Sequence, residues 1–75
     1  MDLHLRGDYD GAERRLRAVL ERAPALPQAQ HHLAVVLHAQ GKTVQSVRHL
    51  REAIALDPHL PGATERLERY LSELR

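Results

Sequence analysis

The chain has 75 residues, no cysteine and a net charge of +1. It can form at most one small domain, without disulfide or thiolate support, whose apolar core barely outweighs the conformational entropy of folding. Ten arginines and one lysine against ten acids create no global field that would draw in nucleic acid or a membrane surface, no apolar run is long enough to span a bilayer, and the start lacks a secretory signal, so a soluble, cytoplasmic protein is expected.

From about Asp10 to Arg22, Ala12, Leu16, Val19, Leu20 and Ala23 recur at i, i+4, i+7, i+8 and i+11, the apolar stripe of a surface helix. Pro24 disfavours helical geometry in the residue before it, while Pro27 suits the first turn of a new helix, where a missing N–H is not needed. In that next helix Leu33 to Leu37 is apolar nearly all the way round, as in a helix held between neighbours. It ends near Gln40, where Gly41 supplies a left-handed C-terminal residue. Val44, Val47, Leu50, Ala53 and Ile54 stripe a third helix from about Thr43 to Leu56, with Thr43 as its N-cap. Pro58 ends it, Pro61 falls in the first turn of the next, and Ala63, Leu67, Tyr70, Leu71 and Leu74 stripe a last helix.

These elements are copies. At an offset of 34 residues, Leu3, His4, Gly7, Arg14, Leu16, Arg17, Pro24, Leu26, Pro27, Ala29, Leu33 and Leu37 recur as Leu37, His38, Gly41, Arg48, Leu50, Arg51, Pro58, Leu60, Pro61, Ala63, Leu67 and Leu71. Chance pairing at this composition gives about four such identities, and several of the matched residues are structural punctuation. Each proline pair is thus the corner between stacked helical hairpins, and Gly7 stands where Gly41 stands one period later, closing the remnant of an earlier helix.

The pattern resembles the tetratricopeptide repeat family, whose unit is a helix-turn-helix. Leu33, Ala34, Leu37, Gly41, Ser46, Leu50, Ala53 and Pro58 carry one full repeat; Gly7, Tyr9, Ala12, Leu16, Val19 and Pro24 the second half of an earlier one; Leu67 and Leu71 the first half of a later one. The resemblance implies an all-α fold of stacked antiparallel helical hairpins, a right-handed α-solenoid of about two repeats with about four helices plus a short N-terminal remnant. Residues 1–26 would be a partial repeat, 27–60 a full one and 61–75 a terminal capping helix. Gln30 and Thr64 stand where the family has a large aromatic in the first helix, and Leu16 and Leu50 where it has one in the second, which thins the packing between hairpins.

About three repeats with polar ends are normally needed for stability, and this sequence holds closer to two. The helix from Asp10 is therefore expected to leave part of its Leu16, Val19 and Leu20 stripe uncovered, whereas Glu65, Arg66, Glu68, Arg69, Glu73 and Arg75 give the last helix a polar face. A two-fold dimer through Leu16, Val19 and Leu20, or through an exchanged hairpin, is expected; the alternative is that the chain is part of a longer protein.

In the family the first helix of each repeat lines a concave groove, which implies a peptide-binding set of His4, Gln28, His31, Val35, His38, Glu65, Arg69 and Ser72. Such a histidine-bearing surface would take an acidic or aromatic-bearing peptide, more strongly at low pH; the plain alternative is solvated helical histidines without a role. The family's use of lysine and asparagine to hold a chaperone's terminal carboxylate finds only His31, Val35, Glu65 and Arg69 here, and Glu65 would repel that group. His31 and His38 lie two turns apart, too far to grip one ion, and His31 and His32 diverge, so no metal and no cofactor is expected. The arginines of "ERRLRAVLER" are explained by the i, i+4 pairs Asp10 with Arg14 and Glu13 with Arg17, so no nucleic-acid partner is expected. Neither a phosphate loop nor an activated nucleophile is present, which leaves a noncatalytic scaffold for a protein or peptide partner; the runner-up is a substrate-presenting or dimerising segment at the front of a larger enzyme.

Overall fold

In the computed structural model the backbone is described for residues 2–75 and the side chains for residues 8–75. Four helices follow one another: α1 (Asp2–Arg22), α2 (Pro27–Ala39), α3 (Thr43–Leu56) and α4 (Ala63–Glu73), with no strand among the described residues. Each packs on the next in chain order, and the α2–α3 hairpin is the most extensive of the three contacts. The fold is therefore all-α and built of helical hairpins.

Apolar burial explains why α2 holds the centre. Leu33, Ala34 and Leu37 of α2 and Leu50 and Ala53 of α3 are completely buried. Removing each leucine from water stabilises the fold by about 1.5–3 kcal/mol. Ala34, Val47, Leu50, Ala53, Leu60, Ala63 and Tyr70 form one cluster that ties α2 and α3 to α4, with Ile54, Leu67 and Leu71 against its margin. Ser46 is buried within α3, and its hydroxyl donates to the Thr43 carbonyl at 2.7 Å, which leaves no orphan donor in the seam.

The α2–α3 turn is closed by the left-handed glycine expected there. Gly41 has φ +85°; its N–H donates to the His38 carbonyl at 2.9 Å and that of Lys42 to the Leu37 carbonyl at 2.8 Å, the paired bonds of a Schellman motif. At the α3–α4 corner Pro58 occupies a turn in which the Leu60 N–H donates to the Asp57 carbonyl at 3.1 Å, and the Asp57 carboxylate accepts from the His59 N–H at 3.0 Å. That turn drives Leu60 into the core.

Three local expectations are corrected. First, α1 runs unbroken through Gly7, because glycine permits a left-handed turn but does not impose one, and costs a helix only about 1 kcal/mol. Second, Thr43 is the first residue of α3 and not its cap; Lys42 holds the cap position without a side-chain bond, and its carbonyl accepts from the Ser46 N–H at 3.0 Å, which puts Thr43 inside the helix. Third, Pro61 lies before α4 and not within its first turn, although its counterpart Pro27 opens α2. The cause is Gly62, which takes a left-handed conformation (φ +76°) where Gln28 stands one period earlier and delays the helix to Ala63.

Two glycines should answer alanine with opposite sign. Gly11 sits within α1 with open space around a new Cβ, so Gly11→Ala raises stability by about 0.5–1 kcal/mol. At Gly41 the positive φ makes Gly41→Ala cost about 1–2 kcal/mol despite equally open space. Thermal melts at low protein concentration, in which 1 kcal/mol moves the midpoint of so small a domain by about 4–8 °C, test the pair; a shift of the same sign for both would refute the assignment.

Candidate functional site

The groove residues that the sequence nominates do not all gather. His31 and Val35 of α2 border a cavity of about 390 Å³, and the remainder of its lining is His32, Val36 and, from α4, Arg66. Gln28, Glu65, Arg69 and Ser72 are exposed and stand outside that lining. The side chain of His4 lies outside the described residues. His31 and His32 do not diverge as their adjacency implied: their rings are 6.2 Å apart, tilted by 32°, and both face the cavity.

His38 has a different task. Its ring stacks on that of buried Tyr70, with centroids 3.9 Å apart and planes 5° from parallel, and its Nε2 lies 2.7 Å from the Glu73 carboxylate. A ring pinned between an aromatic face and a carboxylate anchors α4 to α2, across the two helices that form the cavity.

Beside the cavity two polar atoms are poorly served. His31 Nε2 and Arg66 Nε are closed off from solvent without a hydrogen-bond partner, a state that costs free energy. Burial pushes the His31 pKa down, and the positive charge of Arg66, then that of His32, pushes it further the same way. Val35 and Val36 supply apolar walls. The site thus pairs a neutral imidazole and a fixed cation with an aliphatic floor, an arrangement suited to a carboxylate flanked by carbon.

Sequence reasoning missed Arg66, His32 and Val36. Arg66 is the counterpart of His32 one period on, and Tyr70 that of Val36. Comparing the two first helices residue by residue shows a second polar position beside the nominated one, and that signal was available.

Elsewhere a polar lattice ties α1 to the hairpin. Gln40 Nε2 donates to Asp10 at 2.9 Å, and Glu13 lies 2.8 Å from Arg17 and 3.6 Å from Lys42. The Arg17 hydrogen bond holds the Glu13 carboxyl below its ordinary value. His49 Nδ1 donates to Gln30 Oε1 at 2.7 Å between α3 and α2; burial pushes its pKa down, and the Arg17 charge adds to the effect against the weaker pull of Glu52 and Glu13. Of the expected self-association residues, Leu16 and Leu20 are half-buried and Val19 remains 42% exposed.

Among the described residues no group of three or more histidine, cysteine or acidic side chains is placed to hold a metal ion, and no helix is long and apolar enough to cross a membrane. The family model described as tetratricopeptide repeat matches residues 3–61, which span the three helices α1 to α3 and the corner after them. A search of curated proteins finds no match.

The depressed pKa values of His31 and His49 set the acid limb of stability. A histidine whose folded-state pKa lies below the ordinary value of about 6.5 binds fewer protons folded than unfolded, so its contribution is complete above about pH 6.5 and is lost as pH falls through the lowered value. Stability should therefore decline on acidification below about pH 6.5, before the Glu13 contribution fades below about pH 4.5. Urea melts from pH 8 to 5 check this, and His49→Gln, which retains a donor for Gln30, should flatten the slope; an unchanged slope contradicts the role of His49.

Proposed function

Since the chain belongs to the tetratricopeptide repeat family, whose repeats mediate protein–protein interaction, we propose that it is a noncatalytic scaffold that holds a partner peptide at the cavity between α2 and α4. The carrying observation is that the Arg66 cation and the His31 imidazole line one cavity together with Val35 and Val36. An acidic side chain placed there pairs with the Arg66 guanidinium beside His31, and the aliphatic stem of the same residue covers the valines. Gln28, His38, Arg69 and Ser72 extend the contact along the exposed rims of α2 and α4. Glu65 disfavours a second acid at its own end, so the partner segment presents its carboxylate toward Arg66.

Recognition of this kind is coupled to protonation. In the free protein Arg66 and burial keep His31 neutral near pH 7; a bound carboxylate reverses that preference, so binding takes up a proton. Affinity rises as pH falls through the raised pKa of the complex, from above about 6.5, and levels off once His31 of the free protein protonates below that value.

Fluorescence polarisation with a labelled peptide bearing one glutamate among leucines and a twin bearing glutamine tests the reading. The acidic peptide should bind at least about tenfold more tightly, in line with about 1.5–3 kcal/mol for a hydrogen bond to a charged group. Its advantage should grow from pH 7.5 to 6 and vanish in Arg66→Gln. Equal affinity for the two peptides would sink the proposal.

A further inference from the structure

We propose that α4 of one copy and α1 of another form a composite helical hairpin, so that copies of this chain associate head to tail. The chain's own period supplies the template. In α4, Ala63, Leu67 and Leu71 repeat Ala29, Leu33 and Leu37 of α2; in α1, Leu16 repeats Leu50 of α3. Covering differs sharply between these equivalents. Leu33 and Leu37 are completely buried, whereas Leu67 and Leu71 are only half-buried. Leu50 and Ala53 are completely buried, whereas Leu16 is half-buried and Val19, in the place of Ala53, is 42% exposed. Leu67 and Leu71 thus want the cover that α3 gives Leu33 and Leu37, and α1 carries Leu16 and Val19, the counterparts of Leu50 and Ala53, partly open.

Charge makes a second copy the occupant. In the α2–α3 pair Gln30 accepts from His49 at 2.7 Å; the equivalent residues are Thr64 on α4 and Arg15 on α1. One turn beyond Thr64, Glu68 stands where α2 has the completely buried Ala34. Its carboxylate could enter such a seam only opposite a cation and with room for its length. The α1 face offers both: Arg15, with Asp8, Gly11 and Ala12, lines a cavity of about 510 Å³, and nothing lies within 4 Å of a Cβ built at Gly11. Asp8, the acid of this notch, is met by Arg75 in the same pairing, and Glu13 lies outside the lining with Arg17 and Lys42 as partners. At the turn of the composite hairpin the counterparts of adjacent Gly41 and Lys42 are Arg75 and Asp8, again of opposite charge. α1 and α4 are the two ends of a stack packed in chain order, so one such pairing leaves a free α1 and a free α4 and association continues past two copies.

Light scattering and sedimentation on the full chain between about 10 and about 500 µM test the pairing. The parent mass should rise with concentration past that of a dimer. Arg15→Glu and Glu68→Arg each alter an exposed side chain, so helicity by circular dichroism stays that of the parent, while association weakens at least about tenfold in each. An equimolar mixture of the two variants, and the double variant, should regain the parent's association, because each restores opposite charges across the seam. A parent that stays monomeric to the highest concentration overturns the proposal. So does association that stops at a dimer and ignores Glu68→Arg, the behaviour of a two-fold pairing of α1 faces, or a mixture no stronger than its components.

Discussion

The whole molecule depends on keeping α2 covered. A thirteen-residue helix is marginal in water, and one whose Leu33, Ala34 and Leu37 leave it apolar on almost every side has no favourable exposed state. It must be held between neighbours, and the two available neighbours in sequence are α1 and α3. Short turns bring them back onto it, with Gly41 reversing the chain on one side and Pro24 and Pro27 on the other. The hairpin order is thus a consequence of one helix's need for cover, expressed through punctuation residues that repeat with the same period.

The attachment of α4 is of another kind. Its apolar contribution is smaller, and a specific polar arrangement supplements it: the His38 ring stacked on Tyr70 and held by Glu73. Aromatic stacking contributes about 0.5–1.5 kcal/mol beyond burial, a large share in a domain of this size. His38, which the sequence nominates for a groove, thus serves as a fastener between α2 and α4.

The two unsatisfied nitrogens beside the cavity fit the same logic. A repeat that buries its leucines well can tolerate a poorly satisfied His31 and Arg66, because the cost of one or two orphan polar atoms, about 1–3 kcal/mol each, is offset by the seams on either side. The polar lattice of Asp10, Glu13, Arg17, Gln40 and Lys42 pairs the charges where α1 meets the α2–α3 turn, while Gln40 Oε1 is a third buried atom without a partner.

By itself the sequence determined the helices, their corners and their order, since a 34-residue period of leucines, alanines, glycines and prolines leaves few other ways to bury the apolar residues. It also determined membership in the repeat family, because that pattern is a property of spacing alone. Tertiary structure decided what spacing cannot encode. Equivalent positions receive different fates according to what packs on them: Gly7 continues a helix where Gly41 ends one, and Pro61 stands outside α4 where Pro27 opens α2. Two histidines of one helix part likewise, His38 meeting a tyrosine and His31 an arginine. A side chain's neighbours across a seam come from another turn of the repeat, so their identity follows from the packed assembly and not from the local pattern that placed each helix.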